Sequence, residues 1–245
     1  MTYLQNTFAG IAIATTCFSS AAAPRKVIAE NFTATWCTYC PDVANGLIMM
    51  MEEYPDTFFP IQVHGGDSYS TTWGDARQSF YGVTGYPTVW MDGVSSQVGS
   101  YGSPSGNYSN LRSMYLQRQA NSTDVTMEMC GEVVDSNTYT VSISVGIENS
   151  GTGKPMRIHC AQSLDNYPSP PSYNSSCFKQ ADAQLITLNP GDSETISFTF
   201  DLDSSSTANL SDVNFFAWAQ ATNASGPAEV HQAEKHGFNA GDCQI

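Results

Sequence analysis

Two cysteines separated by two residues constrain this chain more than any other feature of its sequence. They lie in Trp36-Cys37-Thr38-Tyr39-Cys40-Pro41, between a short apolar run and a segment with helical spacing. Such a pair can close a small disulfide at the start of a helix, where unpaired backbone N–H groups and the positive end of the helix dipole favour a thiolate. We therefore expect Cys37 to be a nucleophile and Cys40 to be the thiol that resolves a mixed disulfide.

The same spacing occurs in half of a zinc site, which needs two further ligands. The sequence contains no second pair of this kind, and the four histidines do not complete a ligand set convincingly: His64, His159, His231 and His236. A metal is therefore not expected, and no organic cofactor is indicated. The chemistry that remains is exchange with the thiols and disulfides of other proteins.

The N-terminus is typical of an export signal. Residues 1–24 contain no Asp, Glu, Lys or Arg, and the apolar stretch at residues 8–14 is too short to span a bilayer. Small residues from Ser19 to Ala23 follow, as signal cleavage requires. We expect residues 1–22 to be a signal peptide and the mature protein to be periplasmic, bound to the cell envelope or secreted. A buried or frayed N-terminal segment is the alternative, because no basic residue precedes the apolar stretch.

Charge excludes one class of partner. The chain carries 23 acidic and 9 basic residues, a formal net charge of −14. Such a surface repels phosphate backbones, so nucleic acid is not an expected partner. No later stretch is apolar enough to predict a transmembrane helix.

The first half of the sequence predicts alternating strands and helices. Strands are expected at residues 26–33, 58–63, 88–91 and 96–101, and helices at 41–54, 73–81 and 108–119. The first helix follows from Val43, Leu47, Met50 and Tyr54, which recur at helical spacing. Asp92-Gly93 between two apolar runs predicts a hairpin.

The second half of the sequence predicts short antiparallel strands. Apolar residues keep a period of two from Tyr139 to Ile147 and from Ile196 to Leu202, and further strands are expected at residues 125–129 and 213–219. Turn residues separate these runs, which favours a β-sandwich of immunoglobulin-like type. The expected domains are 24–120 and 124–239, followed by a tail at 240–245.

Two segments resemble a known family. They are Glu30–Pro41 (ENFTATWCTYCP) and Tyr81–Gly93 (YGVTGYPTVWMDG). Together with the order of elements, they resemble the thioredoxin-like fold, and more closely the thioredoxin-like bacterial envelope proteins related to outer-membrane protein 28. The match covers about residues 26–102, and Ala228–Ala233 (AEVHQA) resembles the last strand of such chains. The resemblance implies an α/β thioredoxin-like domain in front of the β-rich half.

The resemblance also implies roles for particular residues. Pro87 matches the cis-proline that lies against the two cysteines in this family, and Tyr86 matches the residue whose backbone binds an incoming peptide. Trp36, Tyr86 and Pro87 are therefore candidate substrate-binding residues. One position departs from the pattern: thioredoxins carry a buried carboxylate six residues before the first cysteine, and this chain has Asn31 there. Alternation along the strand should turn the neighbouring Glu30 to the opposite face.

The remaining cysteines predict structural disulfides. If Cys17 leaves with the signal peptide, four cysteines remain besides the CxxC pair. A Cys160–Cys177 bridge would close the Pro-rich loop between them and leave Cys130 for Cys243.

Two functions fit these observations. In the first, the chain is a thiol–disulfide oxidoreductase of the cell envelope. In the second, it is a non-enzymatic envelope or secreted protein whose Cys37–Cys40 disulfide is structural.

Overall fold

The computed structural model describes residues 23–168, 173–204, 209–223 and 225–240. The expected signal peptide and the tail after residue 240 lie outside these ranges. The helices are α1 (Cys40–Glu53), α2 (Thr72–Tyr81) and α3 (Pro104–Gln119). The strands of the first half are β1 (Val27–Thr33), β2 (Phe58–His64), β3 (Thr88–Met91) and β4 (Ser95–Val98). Those of the second half are β5 (Val125–Asp135), β6 (Thr138–Ile147), β7 (Lys154–Leu164), β8 (Ser176–Gln180), β9 (Gln184–Leu188), β10 (Ser193–Asp201), β11 (Val213–Ala221) and β12 (Val230–Gly237).

One large sheet passes through both halves of the chain. Its strand order is β12-β11-β7-β8-β2-β1-β3-β4, and β9 pairs with β7. Within it β1 is parallel to β2 and antiparallel to β3. The two halves join where β8 runs parallel to β2 through Gln62 and Ser176. A second, three-stranded sheet has the order β10-β6-β5.

Strand β1 is buried over its whole length because both faces of the sheet are covered. Val27 and Ala29 pack against Leu47 of α1 and Leu111 of α3. On the opposite face, Ile28 packs in a cluster with residues of β2, β11 and β12. A strand covered on both faces does not alternate between buried and exposed residues, and here even the polar residues Glu30 and Asn31 are buried.

Helix α3 begins four residues earlier than its apolar spacing predicts. Ser103 is the N-cap, and its hydroxyl accepts a hydrogen bond from the Gly106 N–H. Pro104 occupies the first turn, where no backbone donor is needed. Ser103-Pro104 thus marks the start of α3, which the spacing of apolar residues alone does not predict. None of the described helices is long and apolar enough to cross a bilayer.

The core of the second half lies between the small sheet and the β7, β9 and β11 part of the large one. The alternating residues of β6 and β10 face this core, as their period of two predicts. Three strands were not predicted: β7, β8 and β9. In β7, Ile158–Leu164 is buried without interruption, and its polar residues His159, Gln162 and Ser163 do not alternate with apolar ones.

The expected Cys160–Cys177 bridge is wrong, because both residues are free thiols. Cys160 belongs to the core cluster of the second half, whereas Cys177 belongs to the cluster beside β1. Their side chains therefore lie in separate packing clusters. Burial raises the pKa of Cys160 beyond the usual range of a thiol and that of Cys177 to about 12. Cys130 is disulfide-bonded, and the partner expected for it, Cys243, lies outside the described residues.

The β3–β4 hairpin turns at Asp92-Gly93, as predicted. Both residues have positive φ, 47° and 64°, which suits the turn type that Asp-Gly favours. A Cβ at Gly93 would lie 2.0 Å from the Ala228 carbonyl oxygen. Glycine is therefore needed here both for its conformation and for the close approach of another segment.

Replacing Gly93 with alanine is expected to lower the free energy of unfolding by about 3 kcal/mol, from left-handed strain and the backbone clash together. Gly99→Ala is the matched control, because Gly99 has a φ of 79° with open space around its Cβ position. It should cost only about 1 kcal/mol. Urea denaturation of both variants measures the difference, and equal losses would show that the contact with Ala228 is unimportant.

Candidate redox site

The two cysteines of the motif form a disulfide at the start of α1. The S–S distance is 2.06 Å and the Cα atoms are 5.4 Å apart. Cys40 is the first helical residue and is fully buried, whereas Cys37 lies in the preceding turn and is 7 % exposed. The Cys37 N–H donates to the Ala34 carbonyl at 3.1 Å. The helix thus begins one residue earlier than predicted, and Cys37 is the more exposed of the two cysteines.

Aromatic side chains surround the disulfide. Trp36 and Tyr39 are each 64 % exposed, although large aromatic residues are usually buried. The Trp36 Nε1–H donates to the Gly66 carbonyl at 2.9 Å, and the indole ring lies 5.7 Å from the Tyr86 ring. Tyr86 packs against Cys37 and Cys40. The structure therefore places two of the three candidate substrate-binding residues beside the disulfide.

The Tyr86–Pro87 peptide bond is cis, as expected. Tyr86 is anchored by its hydroxyl, which donates to the Gln78 Oε1 of α2. Its oxygen lies so close to Gly65 that a Cβ there would be 2.1 Å away. The Pro87 carbonyl accepts a hydrogen bond from the Gly99 N–H at 2.8 Å, at the end of β4. The loop at Tyr86-Pro87 is thus hydrogen-bonded both to α2 and to the end of β4.

A carboxylate that the sequence did not single out supports the cysteine loop. Asp67 Oδ2 accepts the Thr35 N–H at 2.8 Å and contacts His64 Nδ1 at 2.9 Å, while its Oδ1 accepts the Tyr69 N–H at 2.9 Å. Burial alone would raise the pKa of Asp67, but these hydrogen bonds hold it below its ordinary value. Burial lowers the pKa of His64 despite its carboxylate partner. The spacing of residues in the sequence does not predict this contact, because Thr35 and Asp67 lie in different loops.

Replacing Asp67 with alanine is expected to lower the free energy of unfolding by about 2 kcal/mol, since it leaves the partly buried donors of Thr35, Tyr69 and His64 without this acceptor. Amide exchange at Thr35 should become faster. Asp56→Ala is the control, because Asp56 is exposed. Urea denaturation and hydrogen exchange measure the two effects. Unchanged protection of Thr35 would contradict the proposed support of the loop.

Glu30 and Asn31 are neighbours in β1, and their side chains point to opposite faces of the sheet, as strand alternation predicts. Asn31 is fully buried and donates from its amide to Gln62 Oε1 of β2. Glu30 points to the other face, where its carboxylate oxygens accept from Arg77 Nε at 2.8 Å and Nη2 at 2.7 Å. Because Glu30 is held in this ion pair, it does not substitute for the carboxylate that thioredoxins carry at the position of Asn31.

Known structures share this fold. HBP35 of Porphyromonas gingivalis aligns with a TM-score of 0.71 and 17 % identity over 91 % of this chain and 78 % of its own. A structural-genomics target protein of Agrobacterium tumefaciens aligns with a TM-score of 0.61 and 20 % identity over 92 % and 100 %. These identities show a common fold and do not establish an activity.

A domain of the outer membrane lipoprotein Omp28 from Porphyromonas gingivalis is also among the similar structures. Its TM-score is 0.33, with 9 % identity over 46 % of this chain and 86 % of that one. At this score it carries no argument about the present chain. No protein-family model matches the sequence, and no curated protein does.

Proposed function

We propose that this chain is an exported thiol–disulfide exchange protein, with a thioredoxin-like first half and an immunoglobulin-like β-sandwich as its second half. The observation that carries the proposal is the Cys37–Cys40 disulfide at the start of α1, packed against Tyr86. A helix N-terminus stabilises a thiolate. The difference in exposure between the two residues supports Cys37 as the attacking cysteine and Cys40 as the resolving one.

The exchange reaction balances with these two residues alone. In the reducing direction, the Cys37 thiolate attacks a substrate disulfide, so that a Cys37–substrate bond forms and one substrate thiolate leaves. The Cys40 thiolate then attacks the Cys37 sulfur and releases the second substrate thiolate. The substrate gains two electrons and the pair becomes a disulfide. The oxidising direction is the same sequence reversed.

Substrate binding is assigned to Trp36, Tyr86 and Pro87. Trp36 offers an exposed indole that already packs near Tyr86. To these we add Tyr39, which lies between the two cysteines and is equally exposed. An extended peptide that carries a cysteine would contact these rings while its sulfur meets Cys37. The strand pairing of β8 with β2 attaches the sandwich directly to the sheet that carries the site, which suits a docking role.

A second candidate function has one observation in its favour. Cys37 is only 7 % exposed and Cys40 is fully buried, as in a disulfide that serves stability. In that case the protein is a non-enzymatic envelope or secreted protein, and the sandwich carries its interactions. A structural bridge is distinguished by resistance to reduction.

Two assays test the exchange activity in both directions. The mature protein is added to insulin with dithiothreitol, which reports reduction, and to reduced ribonuclease A, which reports oxidation during refolding. The proposal expects acceleration of at least one reaction relative to a Cys37→Ser/Cys40→Ser variant. If neither reaction is faster than with this variant, the exchange proposal is wrong.

A further inference from the structure

A cavity unconnected with the cysteine chemistry lies between α2 and the strands β7 and β11. Its volume is about 470 Å³, which is within the range of small-molecule sites. Trp73, Ala76 and Phe80 of α2 form one wall, and Ala181 and Ala183 contribute to another. The lining is therefore largely apolar, with aromatic rings on the helix side.

A buried histidine opens onto this cavity without a well-formed hydrogen bond. His159 of β7 is 6 % exposed, and its ring nitrogens have only a weak side-chain contact with Gln220. Its ring stacks on Trp218 with 5.0 Å between centroids. The neighbouring Gln220 uses its amide for Arg77, Tyr81 and the Ala228 carbonyl. Buried polar atoms are normally well satisfied, so an imidazole in a cavity wall with only this weak contact has capacity for a hydrogen bond to a ligand.

Two arginines act on this histidine. Burial holds the pKa of His159 well below its ordinary value, and the charges of Arg77 and Arg157 lower it further. The Arg77 charge is already paired with Glu30. Arg157 also lines the cavity and is exposed, so of the two it is the cation left to meet a bound anion. Among the described lining residues, Asp182 is the one carboxylate, and it is exposed.

We propose that this cavity binds a small organic carboxylate with a flat apolar body. The carboxylate would pair with Arg157 and accept a hydrogen bond from the neutral His159 ring, and the apolar body would pack against Trp73 and Phe80. Of the two arginines in the described lining, Arg77 is paired with Glu30, so Arg157 alone argues for a ligand with a single negative charge beside its apolar body. This inference does not depend on the redox activity of Cys37 and Cys40.

Isothermal titration of the mature protein with phenylacetate tests the site, with phenylacetamide as the uncharged analogue. Saturable 1:1 binding of phenylacetate is expected, at least about tenfold tighter than that of the amide. Arg157→Gln and His159→Phe should each weaken it by about fivefold or more. In the His159→Phe variant, the new phenyl side chain keeps the stacking on Trp218. The exposed Arg157 can be replaced without disturbing the core.

Arg112→Gln is the matched control, because Arg112 is an arginine on α3 that pairs with Glu53 away from this cavity. The affinity of the Arg112→Gln variant for phenylacetate should equal that of the unmodified protein. The proposal is overturned if phenylacetate does not saturate the protein at about 10 mM, or if the amide binds equally well. It is also overturned if Arg157→Gln and Arg112→Gln weaken binding to the same extent, which would indicate general charge attraction.

Discussion

A Cys40→Ser variant is expected to accumulate stable mixed disulfides with substrate proteins, whereas Cys37→Ser is expected to lose exchange activity entirely. Cys37 is the more exposed residue and lies in the turn before α1, so we expect it to make the first bond to substrate. Without the Cys40 thiol that bond is not resolved within the protein. Non-reducing gel electrophoresis and mass spectrometry after alkylation measure the trapped species, and the insulin and ribonuclease assays measure turnover.

The buried thiols Cys160 and Cys177 supply the control for this experiment. Because both lie in packed clusters and have raised pKa values, a Cys160→Ala/Cys177→Ala variant should trap nothing and should retain exchange activity. Mixed disulfides on Cys40 in the Cys37→Ser variant would reverse the assignment of the two roles. Equal trapping by both single variants would contradict the difference in accessibility.

Replacing Glu30 with glutamine is expected to lower the free energy of unfolding by about 3–5 kcal/mol, since it leaves the Arg77 charge buried without its partner. Arg77 makes two hydrogen bonds to Glu30, one to the Tyr81 hydroxyl at 3.0 Å and one to Gln220 Oε1 of β11 at 3.0 Å. The Tyr81 hydroxyl also donates to Glu30. The ion pair therefore joins β1 and α2 to a strand of the second half. Urea denaturation followed by circular dichroism measures the loss.

The double variant Glu30→Leu/Arg77→Met removes both charges and should be clearly more stable than Glu30→Gln, because no unpaired charge remains. The surface pair of Glu53 and Arg112 offers the contrast: Glu53→Gln should change stability little, since both partners are in solvent. If Glu30→Gln were no more destabilising than Glu53→Gln, the proposed importance of this buried pair would be wrong.

Local patterns predicted most of the elements in the first half. Helical spacing located α1 to within one residue at each end, and Asp92-Gly93 located the β3–β4 turn. Strict alternation located β6 and β10, since one face of each is buried and the other is polar. Each of these features is caused by residues that are close together in the sequence, so the local pattern is enough to predict it.

Contacts between distant segments were not predictable in the same way. The central strand β7 is buried on both faces and shows no alternation, so it was missed. The continuous sheet depends on one point of pairing, between Gln62 and Ser176. The support of Thr35 by Asp67 likewise joins two loops 32 residues apart. The sequence therefore located the cysteine site but not the contacts that hold it.

The reduction potential of the Cys37–Cys40 pair in the mature protein tests the central proposal most directly. Equilibration with glutathione buffers, followed by alkylation and mass spectrometry, gives the value. The exchange proposal predicts a potential between about −270 and −120 mV, the range of thioredoxin-fold catalysts. A potential well below about −300 mV would identify a structural disulfide and contradict the proposal.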